Sequence, residues 1–216
     1  MVYTDVHTHS GETDAQVVSI QNIQGPFAQI PAGRIVSAGL HPWWLQKAEK
    51  DLAALQKAAL MPGVVAIGEC GLDKLAKTDW DLQVKFFKAQ VQLAADLHKP
   101  LIIHCVKAFP EILSLLKGIA VPVIFHGINN KLSVVAPVLN SGYYLSFGKS
   151  LLKPGDAIRA TLNAVPLSQL FLETDDSGVS IKNIYKSAAE IRKIDENEIA
   201  LQLLKNFHSV FSYAGS

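Results

Sequence analysis

The chain has 216 residues, 49% of them hydrophobic, and carries 20 Lys and Arg against 19 Asp and Glu. The net charge of +1 gives no overall electrostatic drive toward nucleic acid or an acidic membrane surface, and no apolar run approaches the ~20 residues of a membrane span. The cysteines, Cys70 and Cys105, indicate no disulfide framework. A secretory leader begins with basic residues, whereas the first basic residue here is Arg34. We therefore expect one globular domain over residues 1–216, located in the cytoplasm.

Eight short β-branched or apolar runs end in polar residues, a pattern that predicts buried parallel strands. They cover residues 2–9, 17–23, 34–42, 64–73, 100–105, 122–127, 143–148 and 170–175. Helical periodicity fills most of the intervals, over residues 48–61, 78–99, 109–118, 131–139, 154–165 and 195–213. The last of these begins with Asp195, and Glu198 three positions on makes an N-cap signature.

The alternation of strands and helices predicts the α/β class and a (β/α)8 TIM-type barrel. Only short intervals separate the first three predicted strands. We therefore expect one or two early helices to be missing or reduced, which makes the barrel compact for its class.

Polar side chains gather where the predicted strands end, which is where the active sites of such barrels lie. They are His7, His9, His41, Glu69, Asp73, His104, His126, Glu173 and Asp175. Five of the seven histidines of the chain belong to this set. The first strand alone supplies Asp5-x-His7-x-His9, and alternate residues of a strand share a face, so both imidazoles can reach one ion.

Imidazole nitrogens and carboxylate oxygens together are ligands of divalent metals, so the strand ends predict a metal site. Glu69 is the carboxylate that can bridge two ions, and His104 and His126 can complete the second. Asp175 can bind metal and also orient or deprotonate water. A lone His at a strand end is more often a hydrogen-bonded core residue, and the prediction therefore rests on the set.

Four further residues are predicted to contact substrate or to hold the ligands in place: His41, Asp73, Lys107 and Glu173. His41 either contacts substrate or caps its strand before Pro42. Asp73 is expected to hold a ligand or a loop, and Glu173 either does the same or is a paired charge inside the barrel. The tryptophans at 43 and 44 either stack on a base or, as we expect, bury their loop.

These motifs resemble the TatD family of metal-dependent deoxyribonucleases, within the amidohydrolase-like metal hydrolases, over essentially the whole chain. The matching segments are DVHTH, GLHP, GECGLD, IIHC, FHG, LFLETD and, near the end, NFHSVF. The resemblance implies a (β/α)8 barrel that hydrolyses phosphodiester bonds, with DNA as substrate, by water that two divalent ions activate. It implies one ion at His7, His9, Glu69 and Asp175 and another at Glu69, His104 and His126.

Catalysis is thereby assigned to Asp175 and Glu69, with Mg2+, Zn2+ or Mn2+ as the ions. The TatD resemblance suggests magnesium, whereas four histidine ligands favour zinc, manganese or nickel. We expect no membrane association and no obligate protein partner.

The chain departs from the family where substrate would be gripped. Val106 and Lys107 stand where the family usually has Arg two residues beyond the ligand histidine, Gly127 replaces the start of Cys-Phe-Ser-Gly, and Asp176 replaces the Ala or Ser that usually follows Glu-Thr-Asp. The lysines predicted to lie near the strand ends are Lys107, Lys131, Lys149 and Lys182. They either contact phosphates or are solvated surface.

Two other functions therefore stay open beside the nuclease. One is a metal-dependent hydrolase of a small phosphoester, an amide or a lactone, because a fold does not fix its substrate. The other is a metal-binding protein without turnover, which the altered loops favour and the retained Glu69 and Asp175 disfavour.

Overall fold

The structure is a computed structural model that describes residues 1–11, 13–25, 27, 30 and 33–211. The strands of this part of the chain are β1 (Tyr3–Thr8), β2 (Val17–Ile23), β3 (Val36–Ala38), β4 (Val64–Asp73), β5 (Leu101–Val106), β6 (Val123–Phe125), β7 (Tyr144–Phe147) and β8 (Leu170–Leu172). They follow one another across the sheet in sequence order. The order and the parallel pairing of β2 with β3, β3 with β4, β4 with β5 and β7 with β8 confirm the predicted (β/α)8 class.

Helices follow the strands as predicted, with one addition. They are α1 (Ala48–Ala58), α2 (Trp80–Asp96), α3 (Phe109–Leu115), α4 (Leu132–Asn140), α5 (Asp156–Ala164), α6 (Ile181–Arg192) and α7 (Glu196–Val210). The described residues before Ala48 form no helix, so the prediction of reduced early helices is confirmed for them. Helix α6 was not predicted, and residues 212–213 of the predicted last helix lie outside the described residues. None of the described helices is long and apolar enough to cross a bilayer.

Contacts between residues divide the chain into two compact units. Unit 1 consists of residues 1–20 and 125–216, and unit 2 of residues 21–124. Unit 1 contains β1, β7, β8 and helices α4 to α7, while unit 2 contains β3 to β5 and helices α1 to α3.

The core of unit 2 is packed between its strands and the apolar faces of α1 and α2. Val36, Leu55, Val64 and Phe86 are almost completely buried within it. Burial of side chains of this size stabilises a fold by about 1.5–3 kcal/mol each. Helix α2 begins where the Asp79 carboxylate accepts a hydrogen bond from the Leu82 backbone N–H, 2.9 Å away.

The core of unit 1 is rich in aromatic side chains. The rings of Phe207 and Phe211 lie 4.8 Å apart, and Phe171 of β8 lies 6.1 Å from Phe211. Buried Tyr185 of α6 directs its hydroxyl to the backbone and side chain of Thr4 in β1, so α6 is fixed against that strand. Helix α7 has Asp195 as its N-cap, as predicted, because its carboxylate accepts from the Asn197 N–H.

Candidate metal centre

The first group of candidate ligands lies in unit 1, at the end of β1 and just beyond β8. The Asp175 N–H donates to the His7 carbonyl at 2.9 Å, and the His9 N–H donates to the Asp175 carbonyl at 3.1 Å. These backbone bonds bring the residues of the DVHTH and LFLETD segments side by side. Parallel pairing of Thr8 with Asp175 thus brings together two segments that are far apart in the sequence, as the predicted barrel requires.

The three side chains of this group converge on one another. The Asp175 Oδ1 atom lies 3.6 Å from His7 Nε2 and 3.4 Å from His9 Nε2. One ligand atom of each residue lies within 4.8 Å of the other two, a spacing at which they can hold a metal ion. His7 is fully buried, whereas His9 and Asp175 are partly exposed, so the group has a solvent-facing side.

The charge of Asp175 is set by its histidine neighbours. Burial favours the protonated carboxyl, but the His7 and His9 rings outweigh it and hold the pKa of Asp175 well below its usual range. The residue is therefore an anion at neutral pH. A carboxylate between two imidazoles is a ligand set for a divalent cation.

A buried hydrogen-bonded pair fixes the backbone next to Asp175. The Thr174 hydroxyl donates to Asp5 Oδ2 at 2.6 Å, and its backbone N–H donates to Asp5 Oδ1 at 3.0 Å. Burial is also the main cause that raises the pKa of Asp5 to about 7. Asp5 of the Asp-x-His-x-His motif thus positions the chain that carries a ligand.

His126 and Glu173, two further predicted site residues, also lie in unit 1. The His126 ring is 4.2 Å from the His7 ring, and its Nδ1 atom is 3.4 Å from Glu173 Oε1. The same oxygen accepts a 2.7 Å bond from the Gly127 N–H. Glu173 is completely buried and contacts the His126 segment, and its role in holding a ligand in place stays a prediction.

The second group of candidate ligands lies in unit 2 and is centred on Glu69. Its Oε1 atom is 2.9 Å from His104 Nδ1 and 3.2 Å from His41 Nε2, and one ligand atom of each residue lies within 4.8 Å of the others. The Trp43 backbone N–H donates to His41 Nδ1, so the ring proton of a neutral His41 is on Nε2 and faces Glu69. This arrangement makes His41 a residue that orients Glu69.

Asp73 connects the second group to its surroundings, and its predicted role in supporting a ligand stays a prediction. Its Oδ2 atom is 3.3 Å from His104 Nε2 and accepts a 2.6 Å bond from the Trp43 indole, while Oδ1 accepts from the Leu75 N–H at 2.7 Å. Burial opposes ionisation of Asp73, but these donors outweigh it and lower its pKa.

Buried and half-buried amide side chains support the second group, and the sequence analysis missed all of them. The Gln24 and Asn22 amides lie 3.0 and 3.5 Å from Glu69 Oε2. Gln90 of α2 bonds both the N–H and the carbonyl of Leu40, which precedes His41, and Gln83 does the same for Asp73. A glutamine on the apolar face of an amphipathic helix was the available signal, since a buried amide needs partners.

The structure places two of the four predicted loop lysines in ion pairs. Lys149 lies 2.8 Å from Asp176, and Lys182 lies 2.8 Å from Asp14. Lys107 is exposed, with a left-handed backbone at φ 54°. Lys131 is also exposed and precedes α4 as its N-cap residue.

The prediction that the tryptophans bury their loop is wrong. The exposed fractions of Trp43 and Trp44 are 48% and 54%. The loop is held instead by the polar contacts of Trp43 with Asp73 and His41, so both rings keep a solvent-facing surface.

The donor set of both groups fits a divalent metal. Imidazole nitrogens and carboxylates combined suit zinc, manganese and related ions better than magnesium, which prefers oxygen ligands. Each group lies within one unit, with His7, His9 and Asp175 in unit 1 and Glu69 and His104 in unit 2.

Comparison with known families decides what kind of protein carries these groups. The family model "TatD related DNase" matches residues 13–212. The chain belongs to the TatD family. At the family level it is a TatD-type metal-dependent hydrolase, and the resemblance inferred from the motifs is confirmed.

Curated relatives in the TatD family carry two kinds of name. The uncharacterized metal-dependent hydrolase YabD of Bacillus subtilis is 29% identical over 196 residues, which cover 80% of this chain and 75% of YabD. A protein of Erwinia tasmaniensis named 3'-5' ssDNA/RNA exonuclease TatD is 28% identical over 201 residues, covering 82% of this chain and 77% of the relative.

Solved structures of TatD proteins share the fold. YjjV, a TatD homologue from Escherichia coli K12, superposes with a TM-score of 0.85 at 23% identity and covers 97% of both chains. A hydrolase of the TatD family from Entamoeba histolytica superposes with a TM-score of 0.82 at 15% identity over 99% of both chains.

Proposed function

We propose that this TatD-family protein hydrolyses phosphodiester bonds in single-stranded nucleic acid, with DNA as its main substrate. The observation that carries the proposal is the pair of His and carboxylate groups at the ends of β1, β4, β5 and β8. Relatives named as exonucleases of single-stranded DNA and RNA support the choice of substrate.

Each group is proposed to hold one divalent ion. His7, His9 and Asp175 are the ligands in unit 1, and Glu69 and His104 are the ligands in unit 2. His126, beside His7, is kept as a candidate ligand, and the assignment of Glu69 to both ions, which the family resemblance implies, stays a prediction. Divalent ions in such a site polarise the phosphoryl oxygen and lower the pKa of water.

The residues of the chain contribute binding and orientation. The Asp175 carboxylate is proposed to orient the attacking water by accepting its proton in a hydrogen bond. A cavity of about 520 Å3 lies next to it in unit 1, lined by Thr8, Ser10 and Ser180 among others. This volume falls within the range of about 300–1,000 Å3 of small-molecule sites, so a terminal nucleotide fits.

A metal-supplemented hydrolysis assay tests the proposal. Single-stranded DNA, duplex DNA and a generic aryl phosphodiester are each incubated with magnesium, manganese and zinc. We expect the wild type to cleave single-stranded DNA and Asp175→Asn to reduce this activity at least ~100-fold. Mutation of a residue that only supports a metal ligand already lowers metal affinity or activity by about 10–100-fold. Asp156→Asn, an exposed carboxylate in the first turn of α5, is the matched control and should cleave like the wild type.

A second candidate function is hydrolysis of a smaller phosphoester. Asp176 and Asp14 neutralise Lys149 and Lys182, which removes two of the cations that a polyanionic strand would contact. Cleavage of the aryl phosphodiester without cleavage of DNA would favour this function and refute the nuclease. Absence of hydrolysis of every substrate with every metal would refute both.

A further inference from the structure

Two exposed tryptophans form a surface in unit 2 that the proposed chemistry does not use. Trp43 and Trp44, here called the tryptophan platform, follow His41 in the GLHPWW segment and keep 48% and 54% of their surfaces exposed. Indole rings are normally buried to a large degree, because they carry the largest apolar surface of any side chain. Exposed aromatic rings beside a polar site therefore indicate a ligand-binding surface.

The platform is held rigidly in its exposed position. The Trp43 indole N–H donates to Asp73 Oδ2 at 2.6 Å, and its ring stands edge-on to His41 at 4.9 Å and to Trp44 at 5.9 Å. The Trp44 backbone N–H donates to the His41 carbonyl at 3.1 Å. Rings that are fixed before a ligand arrives lose little conformational entropy on binding.

The platform adjoins the metal-ligand group of unit 2. The Trp44 ring lies 5.2 Å from the His41 ring, and the Trp43 ring lies 6.0 Å from the His104 ring. Asp73 contacts both Trp43 and His104, so the same carboxylate positions a candidate ligand and one ring of the platform. A group resting on the platform is thus next to the metal-ligand group of unit 2.

The hollow beside Trp43 suits a flat, partly apolar ligand that carries a negative charge next to its flat part. It has a volume of about 510 Å3 and is lined by Trp43, Leu75 and Val106. Lys77 is the cation among its lining residues, and Asp73, which accepts from the Trp43 indole, is the anion. Leu75 is 65% exposed, so the apolar floor reaches solvent. A nucleobase stacks on such a surface while a lysine meets the adjoining phosphate.

We propose that the tryptophan platform binds a base of single-stranded nucleic acid by stacking and thereby selects substrates with unpaired bases. The inference rests on the proposed nuclease function and adds a recognition site to it. Duplex DNA keeps its bases stacked on one another and offers no free face to the rings, so the platform discriminates against it. Trp44 lines a second hollow of about 330 Å3, in which Lys47 is the cation and Asp51 the anion. It is the main stacking residue, because its ring is the more exposed and its indole is not the one bonded to Asp73.

The test measures binding separately from turnover. The probe is fluorescein-labelled (dT)12 with phosphorothioate linkages, which resist hydrolysis, compared with an abasic strand of the same length and charge. Binding to the metal-loaded protein is followed by fluorescence anisotropy. A second arm measures hydrolysis of unmodified (dT)12 by the same proteins.

We expect the wild type to bind (dT)12 at least tenfold more tightly than the abasic strand, as base stacking on an aromatic ring provides. Trp44→Ala should lose most of this preference and leave binding of the abasic strand unchanged, and Trp44→Phe should keep part of it. The matched control is Leu60→Ala, which removes an exposed apolar side chain before β4, at the opposite end of that strand from Asp73. It should bind like the wild type.

Two results would overturn the inference: equal binding of the two strands by the wild type, or an unchanged preference in Trp44→Ala. The hydrolysis arm judges the nuclease function independently. If the wild type prefers (dT)12 through Trp44 but cleaves no nucleic acid, the platform stands and the nuclease function fails. If it cleaves DNA and Trp44→Ala keeps the preference, only the platform fails.

Discussion

Glu69 is the residue on which the polar groups of unit 2 converge. Its two oxygens face the His41 and His104 rings on one side and the Asn22 and Gln24 amides on the other, and the side chain is almost completely buried. Several donors around a buried carboxylate fix the orientation of its oxygens, so it is prepared to accept a cation.

Replacement of Glu69 by Gln should therefore remove metal and activity together. Glu69→Gln keeps the shape but loses the charge, and we expect hydrolysis to fall at least ~100-fold with loss of bound metal, since the substitution alters a ligand itself and not only its support. Metal content by elemental analysis and hydrolysis of DNA check this. Glu49→Gln, an exposed carboxylate of α1, is the control. Wild-type metal content and activity in Glu69→Gln would contradict the ligand assignment.

Residue type and spacing identified the candidate ligands, but they did not predict the ion pairs and the exposed rings around them. Asp5, His7 and His9 share a strand face because side chains alternate, and this follows from spacing alone. The pairing of Lys149 with Asp176 and of Lys182 with Asp14 does not, because each pair joins residues far apart in the sequence whose approach only the fold determines. The exposure of Trp44 was predicted wrongly for a related reason: composition favours burial of an indole, whereas the exposure depends on the path of its loop.

Among the elements, helix α2 does more than cover the sheet. Buried Gln90 donates to the Leu40 carbonyl at 3.1 Å and accepts from the Leu40 N–H at 2.6 Å, so it replaces the strand partners that the backbone lacks beyond β3. The backbone of Leu40 leads directly into His41. The helix thus fixes the position of a side chain that orients Glu69.

Substitution of Gln90 by Leu should destabilise the protein. Gln90→Leu leaves a buried N–H and a buried carbonyl without partners, at about 1–3 kcal/mol each, so we expect the free energy of unfolding to fall by roughly 2–6 kcal/mol. Urea denaturation measures it. Gln92→Leu, on the exposed face of the same helix, should change the free energy by less than about 0.5 kcal/mol. Equal midpoints for the two variants would show that the Leu40 contacts contribute little.

Periodicity predicted elements well where one pattern dominates. Strands β2 and β4 have the predicted bounds, because each β-branched or apolar run ends at a polar segment. Strand β3 is shorter than predicted, since the GLHP segment leaves the sheet to carry His41. Helix α6 was not predicted, although Ile181, Ile184, Tyr185 and Ala188 have helical spacing.

For the whole molecule, the two ligand groups lie in different units, so metal binding should stabilise both. A ligand at 100 times its Kd stabilises the native state by about 2.7 kcal/mol. In a chain of this size each kcal/mol raises Tm by about 2–4 °C. Each bound ion should therefore raise Tm by roughly 5–10 °C over the protein in EDTA.

Metal stoichiometry then separates the contributions of the two groups. We expect two equivalents of manganese or zinc per chain by equilibrium dialysis, and one equivalent with about half of the Tm increase for either His9→Ala in unit 1 or His104→Ala in unit 2. His208→Ala, an exposed histidine of α7, is the control and should bind two equivalents. One equivalent in the wild type, lost in both variants, would mean that a single ion serves both groups, and the proposed mechanism would have to operate with one metal.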